Sequence, residues 1–215
     1  MRFSDEGIII GVQPTLEQRF LIKVFSKEYG HLRGITPKKV DLGQRIFFDY
    51  SAKSPDQLGF IKVHQNIILL FTFSLSPFVS SACHLLAQFL PEQHPYPELY
   101  SDVLMLFSEQ LEQSKGFYIW FEEMLLKHLG FGLALEQCAI TQTTDNLIYV
   151  SPKTGRAISQ NIGAPYHNTL ILLPQFMSKK QYVEIDASDF MLGLKLTGYF
   201  LQKHLGPLPQ VRNFL

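Results

Sequence analysis

The sequence predicts an α+β fold in which an N-terminal five-stranded OB-type β-barrel is followed by a mainly α-helical domain with a loop-rich insertion. Two observations indicate this fold. Short apolar segments separated by turn residues fill the first third of the chain. Later, apolar residues recur every three or four positions, which is the period of a helix. The expected boundaries are residues 1–74 for the barrel, 75–215 for the helical domain and about 132–178 for the insertion.

Five segments of the first third are predicted to be strands. They are the apolar run at 7–12, the alternating segment at 19–25, and the segments at 29–36, 45–50 and 58–64. Turn signals separate them, and most of the gaps carry no helical pattern. An OB-type barrel is the commonest way to close five such strands around a core. Residues 67–73 are either a further extended segment or the entry to the second domain.

Four helices are predicted in the second domain. The first three cover residues 77–90, 97–112 and 116–129, and their short connections favour an antiparallel arrangement. The last helix begins after Asp186 or Ser188, since either side chain can cap it, and it ends at Gly206. Scattered Gly, Pro, Asn and Thr predict that most of residues 132–178 is loop.

Composition indicates an ordinary soluble protein, with 46% hydrophobic and 18% charged residues. The apolar runs are shorter than the ~20 residues that span a bilayer, and Asp5 and Glu6 argue against a leader, so we expect a cytoplasmic protein without a membrane segment. Residues 1–70 hold ten Lys and Arg against seven Asp and Glu, a weak indication of polyanion binding. Cys83 and Cys138 stand far apart and predict free thiols.

No catalytic motif is visible. The sequence has no phosphate-binding loop, no dinucleotide-binding turn, no zinc-protease motif and no nucleophile elbow, and its seven histidines are scattered singly. The pair Glu122-Glu123 is predicted to lie on a solvated helix face and not to act as an acid–base pair. We therefore expect a protein that is not an enzyme and has no cofactor and no metal. An enzyme with a dispersed site is the open alternative.

The predicted barrel offers a candidate surface for single-stranded nucleic acid. Strand alternation places Arg19 and Lys23 on one side of their strand, and Lys62 between Phe60 and His64. If these faces adjoin, cations that hold phosphates alternate with rings on which bases stack. Phe47 and Phe60 belong to the core in the alternative interpretation, and the cations then only solvate the barrel. The candidate residues are Arg19, Lys23, Arg33, Lys38, Lys39, Arg45, Phe47, Phe60 and Lys62.

Several stretches carry a likeness to a known family. They read FSDEGIII at 3–10, YGHLRG at 29–34, LGFGL at 129–133 with QCAIT at 137–141, YVSPKTGRA at 149–157 and LTGYFL at 196–201. In this order and spacing they resemble the RecO family along nearly the whole chain. The resemblance implies a barrel followed by a helical domain. It also implies a mediator of DNA repair and recombination that binds single-stranded DNA and the acidic tail of single-strand-binding protein. RecR as a partner, help in loading RecA, and strand annealing are implied as well.

Two features depart from the family pattern. Many members carry a four-cysteine zinc site in the insertion, whereas here Thr141 stands where the CxxC partner of Cys138 would be. One thiolate cannot hold a structural zinc ion, which normally needs four ligands. The connection at 36–43 is also shorter and less basic than in many members, so we expect weaker and less salt-sensitive DNA binding.

The last predicted helix carries a candidate site for an acidic, apolar peptide tail, because such a ligand needs an apolar pocket rimmed by cations. The residues of this site are Leu192, Lys195, Leu196, Tyr199 and Lys203. The alternative is that the apolar stripe is core and that both lysines reach water. The family role also has an alternative, a protein-interaction module of the same fold with weakened DNA binding.

Overall fold

The computed structural model describes residues 1–16, 18–54, 57–66, 76–107 and 115–215, with only the backbone of Gln65, Asn66 and Phe214. By backbone contacts the chain forms two compact units. The first unit is Met1–Gln113 with Pro209–Leu215, and the second is Ser114–Leu208. The predicted boundary at residues 74 and 75, and the uncertain segment at 67–73, lie outside the described residues. A division at that boundary therefore stays a prediction.

The first unit contains a closed five-stranded barrel, which confirms the predicted N-terminal fold. Around the barrel the strands follow the order β1-β2-β3-β5-β4, and all neighbours are antiparallel except β3 and β5. Strand β1 is longer than the predicted apolar run and pairs with both β2 and β4, with a register shift between Ile9 and Gly11. The strands are β1 Arg2–Pro14, β2 Phe20–Ser26, β3 Gly30–Thr36, β4 Arg45–Ser51 and β5 Gly59–Asn66.

Alternate strand residues fill the barrel interior. Successive side chains of a strand point to opposite faces, so every second residue enters the core and its neighbours remain outside. The burial of these apolar side chains stabilises the barrel by roughly 1.5–3 kcal/mol for each large side chain. The buried cluster consists of Ile9, Ile22, Val24, Leu32, Val40, Ile46, Phe48, Tyr50, Ile61 and Val63.

Two helices of the first unit cover the outer side of β1 and β2. Helix α1 (Pro77–Phe89) contacts both strands, and helix α2 is Pro97–Leu106. The outward-facing ring of Phe25 packs edge-on against Tyr100 of α2, with ring centroids 5.5 Å apart. A 3-10 helix at Gln210–Phe214 contacts α1. The predicted end of α2 at residues 108–112 lies outside the described residues.

In the second unit, helix α3 (Lys115–His128) packs against helix α6 (Ala187–Leu205). Of the two predicted caps of α6, Asp186 is the one that caps it. Between α3 and α6 the predicted loop-rich insertion contains a small sheet that the sequence did not predict, because its strands are only two to four residues long. The sheet has the order β7-β6-β8. Its elements are β6 Leu147–Val150, β7 Ala157–Ser159, α4 Gln160–Gly163, β8 Ile171–Leu172 and α5 Gln175–Ser178.

The prediction that Glu122 and Glu123 lie on a solvated face is wrong. Their relative exposures are 0% and 2%, because α3 is buried on more than one side. Glu123 accepts hydrogen bonds from Lys180 Nζ and from the Tyr182 hydroxyl, and Glu122 accepts one from the Thr197 hydroxyl. The two carboxylates therefore serve as hydrogen-bond acceptors inside the second unit.

Candidate nucleic-acid interface

Two aromatic side chains stand on the outside of the barrel. The exposed fractions are 47% for Phe47 on β4 and 45% for Phe60 on β5. Phe60 is flanked by Ser51 of β4 on one side and by Ile35 of β3 on the other. Both rings are therefore outside the core, and the alternative that makes them core residues does not hold.

The charges beside Phe60 are of both signs. Lys62 is exposed on the same face of β5 and lies opposite Asp49 of β4. The Asp49 carboxylate lies 2.6 Å from His64 Nε2 and accepts a 2.6 Å hydrogen bond from Ser4 Oγ. These hydrogen bonds, from Ser4 first and then from His64, lower the pKa of Asp49. The carboxylate is thus ionised at neutral pH and offsets part of the Lys62 charge.

Phe47 has a more acidic surrounding than Phe60. A surface pocket of about 500 Å³ beside it is lined by three carboxylates. One of these, Glu6, is directly opposite Phe47 on β1. Carboxylates repel a phosphate backbone, so the Phe60 side of the face is better suited to DNA than the Phe47 side. The lining residues are Ser4, Asp5, Glu6, Lys27, Glu28, Phe47, Phe48 and His64.

Three of the predicted DNA-binding cations are engaged within the first unit. Lys23 Nζ donates a 3.0 Å hydrogen bond to the Ala87 carbonyl of α1, because the outer face of β2 is covered by that helix. Arg33 pairs with Glu92 at 2.6 Å, with the Arg33 side chain 46% exposed. Arg45 pairs with Glu6 at 2.5 Å. Lys23 and Arg45 are therefore half-buried and bound to neighbouring groups, and Arg33 lies on the surface with a partner.

The other predicted cations lie on connections. Arg19 is exposed and precedes β2 instead of belonging to it, and Lys38 and Lys39 lie between β3 and β4. Sequence reasoning missed Leu58, which is 47% exposed and lies two residues before Phe60. The signal was available, because alternation in the predicted strand at 58–64 places residues 58 and 60 on the same face, although β5 itself begins at Gly59.

The predicted peptide site on α6 is only partly at the surface. Leu196 is completely buried, so it belongs to the core and does not line a surface pocket, which corrects that part of the prediction. Leu192 is half-buried, Lys195 is exposed and Tyr199 is 41% exposed. Lys203 Nζ donates hydrogen bonds to the carbonyls of Pro152 at 2.6 Å and Lys153 at 3.1 Å.

Comparison with known proteins identifies the family. A family model described as the C terminal of recombination protein O matches residues 73–212. The chain belongs to the RecO family. The DNA repair protein RecO of Wolbachia pipientis from Culex pipiens is 33% identical over 238 aligned positions, which cover 100% of this chain and 98% of the relative. DNA repair protein RecO of Bartonella quintana is 31% identical, with coverage of 95% and 90%, and that of Anaplasma marginale (strain Florida) is 31% identical, with coverage of 95% and 92%.

The residues around Cys138 do not fit the cysteine zinc site of many RecO proteins. The Cys138 sulfur accepts a hydrogen bond from the Ser159 backbone N–H at 3.3 Å and lies 3.5 Å from Ser159 Oγ. Burial raises the pKa of this thiol, but hydrogen bonds from Ser159, Thr141 and Ile140 together lower it to about 6. No group of three His, Cys, Asp or Glu side chains that could hold a metal ion occurs among the described residues. The Cys138 sulfur is thus held by hydrogen bonds with Ser159.

Proposed function

We propose that this chain is a DNA-repair and recombination mediator that binds single-stranded DNA and protein partners without catalysing a reaction. The observation that carries the proposal is the outer face of β5, where exposed Phe60 and Lys62 stand two residues apart. An exposed ring beside a cation suits single strands, because a base stacks on the ring while a phosphate binds the cation. Relatives named DNA repair protein RecO, aligned over all or nearly all of the chain, support the same role.

The DNA path is proposed to run over Phe60 and Lys62 on the outer face of β5. Ile35, directly beside Phe60 on β3, adds apolar surface for a base. Arg19, Lys38 and Lys39 supply further cations from the connections of the barrel. Lys23 is left out of the path because its ammonium group is bound to α1.

The proposed partners are those of the family. They are the acidic C-terminal tail of single-strand-binding protein, RecR and RecA. The chain acts with RecR to load RecA, and strand annealing is a further part of the proposed role. The exposed Lys195 and Tyr199 with the half-buried Leu192 are the part of α6 that remains available to a tail peptide. In the described residues no helix is long and apolar enough to cross a membrane. We place the chain in the cytoplasm, at the nucleoid during repair.

A salt series with a fluorescent single-stranded oligonucleotide tests the DNA contact. We expect wild-type binding to weaken with salt, and Phe60→Ala to weaken it by about 1–3 kcal/mol, the contribution of one stacked base. Phe47→Ala is the matched comparison, since the two rings are almost equally exposed and Phe47 has the acidic surrounding. We expect Phe47→Ala to weaken oligonucleotide binding less than Phe60→Ala does. Equal losses, or no loss in either variant, would contradict the proposed path.

The second candidate function is a protein-interaction module that retains the fold with weakened DNA binding. The engagement of Lys23, Arg33 and Arg45 favours it, since an engaged cation releases fewer counterions when DNA binds. In that case the oligonucleotide does not bind even at low salt, whereas the tail peptide of single-strand-binding protein binds. Lys195→Glu then lowers the peptide's affinity in fluorescence anisotropy. Lys203 is a poor choice for this test because it holds the carbonyls of residues 152 and 153.

A further inference from the structure

Three separate segments of the second unit meet at the C-terminal end of α6. Lys203 of α6 donates its two hydrogen bonds to the turn at Pro152 and Lys153. The same turn continues to Arg156, which forms a parallel bridge with Ala134 of the segment after α3. These contacts bring residues 127–134, 150–156 and 199–206 together.

Close packing fixes the turn in this position. A Cβ atom at Gly155 would lie 2.9 Å from Leu133 Cδ2 and 3.5 Å from the Phe200 ring. Gly155 also has φ of 68°, a conformation that glycine adopts without strain. The Ala134 N–H donates a 3.0 Å hydrogen bond to the Gly155 carbonyl, and the Ala157 N–H donates a 2.8 Å bond to the Ala134 carbonyl. These contacts hold the three segments in one arrangement.

The charged residues of these three segments are all basic. Glu123 and Glu136, which line a surface pocket together with Lys127, both pair with Lys180. The three segments contain no Asp or Glu. Lys127, Lys153 and Arg156 are exposed, and no carboxylate pairs with any of them within the part of the chain that the structure describes. We call this surface the basic corner and define it as Lys127, Phe131, Lys153, Arg156, Lys203 and His204.

An aromatic stack lies within the basic corner. The rings of Phe131 and His204 are stacked, with centroids 4.4 Å apart and an angle of 14° between their planes. Phe131 is 36% exposed, and Tyr199, one helical turn from Lys203, is 41% exposed. Burial and the neighbouring Lys203 lower the pKa of His204, so its ring is neutral at neutral pH. The corner thus combines cations with the accessible ring of Phe131, which is stacked on His204.

We propose that the basic corner is a second contact for single-stranded DNA, in which Lys127, Lys153 and Arg156 bind phosphates and Phe131 stacks with a base. This inference rests on the proposed function, since it adds a site for the same ligand. The basic corner lies in a different part of the chain from the DNA-binding residues predicted from the sequence, which all lie within residues 19–62. An acidic peptide would also be attracted by the cations, but accessible rings beside unpaired cations favour a ligand that stacks.

Oligonucleotide binding by a charge-matched pair of variants of the full chain tests the site. Arg156→Glu removes a cation of the corner, whereas Lys179→Glu makes the same charge change at an exposed residue of the same unit. With a fluorescent oligo-dT of about 20 nucleotides, we expect Arg156→Glu to lower affinity at low salt about fivefold or more. We also expect it to reduce the slope of log K against log salt by about 0.7, the value for one phosphate contact to a single strand. Lys179→Glu should change affinity less than about twofold.

A crosslink provides a readout that does not depend on affinity. An oligonucleotide carrying 5-iododeoxyuridine, irradiated on the wild-type chain, should attach to a peptide that contains Phe131. Arg156→Glu should reduce the yield of that crosslinked peptide and leave the yield of crosslinks to the barrel unchanged. Circular dichroism checks that both variants are folded.

The outcomes separate this site from the barrel. If Arg156→Glu changes oligonucleotide affinity no more than Lys179→Glu while Phe60→Ala lowers it, DNA binding at the basic corner is overturned and the proposed function stands. If Arg156→Glu alone lowers affinity, the corner holds and the barrel path fails. An oligo-aspartate peptide that displaces the oligonucleotide from the corner at equal concentration would overturn DNA as the ligand in favour of an acidic protein segment. Absence of oligonucleotide binding at low salt overturns both the basic corner and the barrel path as DNA contacts.

Discussion

The Nδ1 atom of His31 lies 3.1 Å from the carbonyl oxygen of Leu90, and only 3% of His31 is exposed. The Gln93 N–H donates a 2.9 Å hydrogen bond to the His31 carbonyl, so strand β3 is attached at two points to the segment between α1 and α2. Nε2 of the same ring is buried and has no hydrogen-bond partner in the described structure. A proton on Nε2 would therefore add a buried charge without an acceptor.

Stability should fall in acid because of His31. Burial, followed by nearby Lys23 and Arg33, lowers its pKa below 6.5, although the Leu90 carbonyl and Glu92 act in the other direction. The unfolded chain thus takes up the proton at a higher pH than the folded chain does. The contribution of the neutral ring is fully present above about pH 6.5 and is lost as the pH falls through the folded pKa. We expect urea unfolding from about pH 8 to about pH 5 to show a steeper decline for wild type than for His31→Gln.

The exposed His167 supplies the control for this experiment, because its substitution by Gln should leave the acid decline as it is in wild type. If the free energy of unfolding falls equally in His31→Gln and in wild type as the pH is lowered, His31 is ruled out as the source of the decrease.

Cys138 should be a thiolate at neutral pH. Hydrogen bonds that outweigh burial lower its pKa to about 6, whereas burial raises the pKa of Cys83. Ultraviolet absorbance of the thiolate in the folded chain should therefore rise with a midpoint near pH 6. Cys138→Ala should remove this transition, and Cys83→Ala should retain it. If the absorbance instead rises only under clearly alkaline conditions, the hydrogen bonds to the sulfur do not have the proposed effect.

Removal of the Glu123 carboxylate should destabilise the second unit. Glu123 accepts the hydrogen bond of the buried Tyr182 hydroxyl and pairs with Lys180, so Glu123→Ala leaves a buried donor without an acceptor. We expect a loss of about 2–4 kcal/mol in the free energy of unfolding. Glu136→Ala is the matched control, since its side chain is 70% exposed and also faces Lys180, and it should cost less than about 1 kcal/mol. Chemical denaturation measures both, and similar losses would refute the role of the buried carboxylate.

The N-terminus of α6 gives a test of the cap. Asp186 Oδ1 accepts a 2.7 Å hydrogen bond from the Asp189 N–H. Asp186→Ala should therefore lower the free energy of unfolding by about 1 kcal/mol. Ser188→Ala, at the other candidate cap, should change it by less than about 0.5 kcal/mol. The reverse order in thermal or chemical denaturation would assign the cap to Ser188.

The sequence was sufficient to predict the barrel and most helix limits because both depend on local patterns. Alternation places Ile22 and Val24 inside and Lys23 outside, as observed. It cannot show that α1 then covers the outside of β2, which is a contact between residues 64 positions apart. For the same reason the sequence correctly indicated that Lys23 points outward but not that its ammonium group is engaged.

The sequence could not predict which charged residues pair with one another either. Arg45 and Glu6 are 39 positions apart and meet only because β1 and β4 are neighbours in the closed barrel. Glu123 has a polar side chain in a helix and was assigned to solvent, since nothing local reveals that Tyr182 will supply its hydrogen bond. Exposure of Phe47 and Phe60 was left open for the same reason, because a strand pattern distinguishes two faces without showing which one is covered.

The return of residues Pro209–Leu215 to the first unit has a consequence for synthesis in the cell. Helix α1 emerges from the ribosome early, but the 3-10 helix that packs against it emerges only after all of Ser114–Leu208 has been made. Until then, one side of α1 lacks its native neighbour. The first unit therefore completes its packing later than its position in the chain suggests, only after the nested second unit has been translated.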